Sequence, residues 1–139
     1  MERTLVLIKP DGVKRHLIGN IIERFENKGL KILSLKLMTV SDEKAKEHYS
    51  VHSMKPFFEG LVSYLTSGPI VALILEGDNA IISCRNLAGA TDGSAAAAGT
   101  IRGDFSLNIE ENIVHASDSK ESYNHEYKIF FNENEIMDY

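Results

Sequence analysis

The sequence predicts an α+β sandwich: a four-stranded antiparallel sheet with helices on its faces and one long excursion loop. Three observations point there. Two continuous apolar runs, within "TLVLIK" near the start and "IVALILEG" from Ile70, read as inner strands buried on both faces. Two weaker runs, "LKILSLKLMT" and "NIVH", read as edge strands. Between and after these four runs, apolar residues recur at helical spacing.

The first strand runs from Arg3 to Lys9, with Lys9 at its very end. "PDG" then breaks the run, because Pro10 fixes φ and Gly12 permits a positive one, so a tight turn follows. Ile18, Ile21, Ile22 and Phe25 fall at i, i+3, i+4 and i+7 of a helix that Gly29 stops. In the second strand Leu33, Leu35 and Leu37 alternate with Ser34, Lys36 and Met38, the pattern of a half-buried edge. Ser41 caps a short helix whose first turn holds Asp42 and Glu43, favourable near the positive end of the helix dipole. After Pro56, the residues Phe58, Leu61, Val62 and Leu65 repeat the helical stripe until "SGP" ends it. The third strand leads to a helix capped by Asp78 or Asn79, running through Arg85 and ended by Gly89. An irregular segment follows from Ala90 to about Asp104, in which the "GSAAAAG" patch offers at most a helical turn. The last strand, Asn112 to His115, enters a helix carrying Tyr123, Tyr127 and Phe130 on one stripe. The order β-α-β-(αα)-β-α-loop-β-α, with the first and third strands inside, has a ferredoxin-like topology.

The bulk numbers agree with one domain over residues 1–139: the length suits a single core and 43% of residues are apolar. A net charge of −5 argues against nucleic-acid binding through bulk positive charge, though not against a local cluster of cations for a phosphorylated ligand. Cys84, alone, forms no internal disulfide, and the apolar run Leu5–Ile8 is too short for a signal-peptide core or a membrane span. A cytoplasmic protein is the expectation.

Polar residues in unusual places come late in the chain. Thr91 and Arg102 lie in the irregular segment, Arg85 near the end of the preceding helix, and Lys9 at the end of an inner strand. Three such cations bind phosphate oxygens, two of them with a forked guanidinium; on spacing alone they serve equally as surface charges. No GxxxxGK[ST] or GxGxxG loop is present, so a phosphate site would rest on side chains. No CxxC or EF-hand spacing holds a metal, so magnesium would arrive on the phosphates. His115 shares a strand face with Ile113, and Asp118 and Glu121 have capping-box spacing, so a helix begins just after Asp118. That places the imidazole near a positive helix end, with Glu126 two turns on able to orient it. A histidine satisfied structurally at an edge strand fits the same residues. His16, His48, His52 and His125 read as solvated surface residues, and Cys84 as a packed helical thiol.

Together these residues resemble one family, nucleoside diphosphate kinase. "NIVHASDSKES" is similar to its N-x-x-H-G-S-D-S-x-E-S motif, and "RTLVLIKPDGV" to its opening strand and lysine. "HYSVHSMKPFFEGLVSYLTSGPIVA" resembles its substrate-side helical pair, and "GATDGSAAAAGTIRGDF" its long loop. The likeness spans essentially the whole chain in order. It implies that His115 is the nucleophile that takes the γ-phosphate of ATP and passes it to nucleoside diphosphates by a ping-pong route. It implies that Lys9 and Asn112 reach the sugar hydroxyl, with Lys9 also on the transferring phosphate, and that Arg85, Thr91 and Arg102 bind phosphates. Phe57 would stack on the base with Ile109 on its other face, Tyr49 would line the phosphate end, and Ser117 and Glu126 would support the histidine. Mg2+ is the implied cofactor. A homo-oligomer is implied, hexamer first and tetramer second, with no membrane and no obligate nucleic-acid partner.

Three departures stand out. Ala116 takes the place of a frequent glycine, tolerable unless that position needs positive φ. Asp92-Gly93 replaces the usual Asn-Pro, and Ala98 a later proline, which should loosen the loop in the unfolded or unassembled state. The rival readings are a ferredoxin-like binding module and a family member without catalysis, serving as a nucleotide-binding or scaffold protein. Against the first, no strand carries the paired aromatics of an RNA-binding sheet; against the second, every polar residue named above is retained.

Overall fold

A computed structural model describes residues 1–139. The two continuous apolar runs form the centre of the sheet. β1 (Glu2–Ile8) and β3 (Ile70–Gly77) pair antiparallel from Glu2 opposite Gly77 to Ile8 opposite Val71. Leu5–Ile8 and Ile70–Leu75 are buried throughout, since strands covered on both faces have no polar side to present. β2 (Lys31–Met38) pairs with β3 and β4 (Val114–Ala116) with β1, both antiparallel, giving the order β2-β3-β1-β4. This is the expected ferredoxin-like sandwich with β1 and β3 inside.

The pleat divides the core into two layers of fifteen buried residues each. Leu5, Leu7, Ile70, Ala72 and Ile74 pack under α3 (Asp42–His48), α4 (Phe58–Leu65) and α7 (Lys120–Phe130). Val6, Ile8, Val71, Leu73 and Leu75 pack under α2 (Ile18–Lys28) and α5 (Ala80–Ala88). Each fully buried aliphatic side chain contributes about 1.5–3 kcal/mol. Gly29 ends α2 at φ 101, a left-handed cap that suits glycine. Ser41 caps α3, its side chain accepting from the Lys44 amide at 3.2 Å.

Elsewhere the chain departs from its pattern for local reasons. β1 stops at Ile8, and Lys9 is the cap of a five-residue helix, α1 (Pro10–Lys14), where a turn was expected; Pro10 fits its first position. In β2 a register shift between Ile32 and Ser34 reverses the facing. Leu33 is therefore 2% exposed, whereas Leu35 and Leu37 stand 52% and 64% exposed. Asn79 makes no side-chain cap at α5; Glu2 Oε1 accepts from the Ile81 amide instead, at 2.8 Å. The segment expected to be irregular to Asp104 contains α6 (Ile101–Phe105), capped by Thr100 Oγ1, while the alanines add no helix. In the same loop a Cβ on Gly93 would meet Ser106 Oγ at 2.4 Å, so the close approach requires glycine there. Helix α7 begins at Lys120, capped by Ser119 rather than by an Asp118–Glu121 box.

The largest departure sets the site. β4 spans Val114–Ala116, not Asn112–His115, because Ile113 sits at φ 70. That turn places Ile113 in the layer of Val114 and Ala116, opposite to the facing expected from strand alternation. A β-branched residue in this region costs about 1–3 kcal/mol and persists only if its surroundings hold it. Asp11 does so: Oδ2 accepts from the Ile113 amide at 3.1 Å, and Oδ1 accepts from the Tyr64 hydroxyl. The Lys9 amide donates to the Ile113 carbonyl at 2.7 Å. Ala116 is not among the positive-φ residues, so its methyl is accommodated in β4 as expected.

Asp11→Ala leaves the Tyr64 hydroxyl and the Ile113 amide without an acceptor and should cost about 1–3 kcal/mol by urea unfolding. Asp11→Asn, which keeps one acceptor oxygen, should lose less. Equal losses would remove the carboxylate from this role.

Candidate active site

Pairing of His115 with Leu7 aims the imidazole into the layer beneath α3 and α7. There Nε2 lies 2.9 Å from Glu126 Oε1, on α7, and the Ser117 hydroxyl donates to the same oxygen at 2.6 Å. Burial alone would push the Glu126 carboxyl up, but the charge and hydrogen bond of His115, with His48 and Ser117, outweigh it and hold it below its usual range. An ionised carboxylate only accepts, so Nε2 carries the proton and Nδ1, which has no hydrogen-bond partner, presents a lone pair when the ring is neutral.

His48, expected on the surface, is 3% exposed and forms one wall of this site. Its ring meets that of His115 edge-on, 4.7 Å between centroids at 84°, and touches Tyr49 and Phe130. Nδ1 is 3.9 Å from Glu126 Oε2, beyond hydrogen-bond reach, and neither ring nitrogen has a partner. Burial, then the charge of His115, drives His48 down to about 3. The signal for it was present: Ala45, His48 and Tyr49 stand at i, i+3 and i+4 and are all buried, a narrow stripe on the otherwise charged α3. His52 is half-buried against Phe57, whereas His16 and His125 are exposed as expected. Cys84 is buried in the helix-packing layer, as expected, and burial pushes its thiol up to about 12.

The remaining candidates form a second group beside the histidine. Lys9 is 7% exposed and donates to Asn112 Oδ1 at 2.8 Å. Burial, then the nearby Arg102, lowers its ammonium to about 8, against a smaller opposing pull from Asp11. Asn112 Nδ2 leans toward the Thr91 carbonyl at 3.4 Å. Arg102, on α6, is buried and donates to the carbonyls of Asn112, Gly89 and Val114 at 3.2, 2.8 and 2.7 Å. It therefore ties the end of α5, the loop and β4 together while bringing positive charge; burial, then Arg85, lowers it to about 10. Arg85 is exposed and donates to the Ala116 carbonyl at 3.1 Å.

A cleft of about 270 Å³ opens beside the imidazole, lined among others by His48, Tyr49, His52, Arg85, His115 and Glu126, while Lys9, Asn112 and Arg102 do not line it. The Tyr49 hydroxyl is buried without a partner, and burial, then Glu126, raises it. Phe57 and Ile109, half exposed, and Thr91, exposed, do not line the cleft itself. Ser117 is fully buried behind it. The set is an imidazole with one ring nitrogen unpartnered and the other on an oriented carboxylate, with cations nearby: an arrangement able to move an anionic group onto nitrogen and off again.

A sequence model of the nucleoside diphosphate kinase family matches residues 2–136. The nucleoside diphosphate kinase of Picrophilus torridus is 75% identical over 99% of this chain and 100% of its own length. That of Thermoplasma volcanium is 64% identical, over 100% of this chain and 95% of its own. Among solved structures, a halophilic nucleoside diphosphate kinase from Halobacterium salinarum in complex with CDP is 48% identical. It superposes with a TM-score of 0.97, over 99% of this chain and 92% of its own.

His48 gives the fold a pH dependence whose sign follows from burial. Above its ordinary value of 6.5 the imidazole is neutral in both states and contributes nothing. Between 6.5 and about 3 the unfolded chain takes up a proton that the folded one refuses, so stability falls as the pH falls. The slope from this one group is about 1.4 kcal/mol per pH unit. His48→Gln should flatten the acid limb of the urea-unfolding midpoint by that share; parallel limbs would contradict it.

Proposed function

The chain belongs to the nucleoside diphosphate kinase family and is a phosphotransferase, and from that premise we propose that Nδ1 of His115 carries the phosphoryl group between nucleotides. The observation behind this reading is the Nε2–Glu126 hydrogen bond, which leaves Nδ1 as the nitrogen available for attack. In the first half-reaction the Nδ1 lone pair attacks the γ-phosphorus of ATP, the bond to the bridging oxygen breaks, and ADP leaves. In the second, a β-phosphate oxygen of an acceptor diphosphate attacks the same phosphorus and the P–N bond breaks. Positive charge developing on the imidazole is met by Glu126, held in place by Ser117. Two half-reactions at one site give ping-pong kinetics.

The cations take the phosphate oxygens. Lys9, desolvated and aligned by Asn112, serves the transferring group and, with Asn112, the sugar hydroxyl. Arg85 and Thr91 meet the phosphates from the open side. Arg102 adds its charge and remaining N–H donors, with part of its fork committed to backbone carbonyls. Tyr49 closes the phosphate end, and the exposed ring of Phe57 stacks on the base with Ile109 opposite.

Magnesium fits this chain as a passenger on the nucleotide. The protein's one cluster of metal-capable side chains contains two imidazoles, poor partners for a hard cation that prefers oxygen and retains its waters. When bound, the ion neutralises charge on the β- and γ-phosphates. Residues 1–139 act as a single catalytic domain in the cytoplasm, and no helix is long and apolar enough to cross a membrane. The assembly is a homo-oligomer, a hexamer before a tetramer; exposed Leu35 and Leu37 on the edge strand β2 support association.

Incubation with γ-labelled ATP and magnesium should label the chain with acid-labile, alkali-stable phosphate that a second nucleoside diphosphate discharges, and His115→Ala should take none. Label that survives in His115→Ala, or none in the folded native chain, would overturn the reading. Because Lys9 loses its charge as the pH rises through about 8, kcat/KM should fall on that alkaline limb. Lys9→Arg should shift the limb upward, and Lys9→Ala should lower kcat/KM roughly 10²–10³-fold at pH 7, the cost of losing one charge-stabilising donor.

A further inference from the structure

The proposed reaction uses His115 and Glu126 but leaves His48 idle. Its ring is nine-tenths or more buried, both nitrogens lack partners, and Nδ1 points at Glu126 Oε2 from 3.9 Å. A buried imidazole with no hydrogen bond is an exception among native polar groups, and its nitrogens are free to serve as ligands. One donor atom from each of His48, His115 and Glu126 lies within 4.8 Å of the other two. Two imidazoles and a carboxylate are the three-ligand set that zinc takes while keeping a fourth position open.

We propose that His48, His115 and Glu126 bind one borderline divalent transition-metal ion, zinc above all, and that its capture shuts off phosphoryl transfer. Tetrahedral bonds of about 2.0–2.1 Å space the donors roughly 3.3 Å apart. The His115 and His48 nitrogens lie 2.9 and 3.9 Å from different oxygens of the Glu126 carboxylate, so side-chain rotation brings one oxygen to both and closes the 4.8 Å limit. Magnesium does not compete, because it demands oxygen ligands and retains its waters. Softness and the Irving–Williams order place zinc and copper well ahead of it on imidazole nitrogen.

The inhibition follows from the tautomer. A metal at Nε2 replaces the proton there, and a neutral His115 ring then carries its one proton on Nδ1. The lone pair that attacks phosphorus is gone, and the Glu126 oxygen is held by the ion instead of by the ring. This half rests on His115 being the nucleophile; the binding half does not.

The test is calorimetric titration of chelator-treated protein with zinc chloride, with cobalt(II) as the spectroscopic stand-in. One ion per chain and tetrahedral d–d bands are expected. His48→Gln should weaken zinc binding roughly tenfold or more, since even outer-shell losses cost that much, while His125→Asn should leave it unchanged. Ring-proton NMR of the unaltered chain, independent of any variant's folding, should show two buried imidazoles meeting the ion and His16, His52 and His125 unmoved. Zinc should abolish labelling by magnesium-ATP reversibly with EDTA, and His48→Gln should need correspondingly more zinc. No binding, an octahedral spectrum, or binding indifferent to His48→Gln overturns the site. Binding as expected with labelling intact overturns the inhibition. A chain that binds zinc as described yet takes no label without it supports the metal site and overturns the kinase reading.

Discussion

The hydrogen bond between His115 Nε2 and Glu126 is the interaction on which the rest of this structure depends. It sits where β4 and α7 face each other across a layer of the core, and it fixes which ring nitrogen is free. An unpaired carboxylate at 8% exposure would be costly, so the two side chains require one another, and Ser117 satisfies the shared oxygen further. The pair is thus both a packing constraint and an electronic one. Its geometry holds only if β4 meets β1 in the observed register and α7 starts where Ser119 caps it.

The register of β4 is in turn imposed by an unfavourable backbone. Ile113 at φ 70 is held by Asp11, on α1, and by the Lys9 amide. The same turn delivers the Asn112 side chain to the Lys9 ammonium. Arg102 completes the frame by donating to the carbonyls of Asn112, Gly89 and Val114. Strain, buried charge and irregular backbone gather within a few residues, and the two apolar layers supply the stability that offsets them.

What was legible in the sequence followed from periodicity and from chemistry confined to one stretch. β1 and β3 announced themselves because burial on both faces leaves an unbroken apolar run, and Gly29 and Ser41 because a cap needs a particular side chain. His115 and Glu126 were paired through helical spacing. Features that depend on distant partners were not legible. The β2 bulge inverts a clean alternation without any residue marking it, and Glu2 caps α5 from 79 residues away. Ile113 reads as an ordinary strand residue until Asp11 is found beside it. His48 was hidden by the charged residues around it, although the Ala45–His48–Tyr49 stripe marked its face. Family likeness named the site residues; only the structure gave Arg102 its backbone contacts and His48 its burial.

The central claim, that Glu126 occupies Nε2 and leaves Nδ1 to take the phosphate, is tested most directly on the phosphorylated protein. Chain labelled with 15N-histidine and phosphorylated by ATP can be read by 31P and 15N NMR, which distinguish phosphate on the two ring nitrogens. The account predicts one phosphohistidine, bonded through Nδ1 of His115, with Nε2 protonated and still held by Glu126. Phosphate on Nε2, or on any other residue, would contradict it.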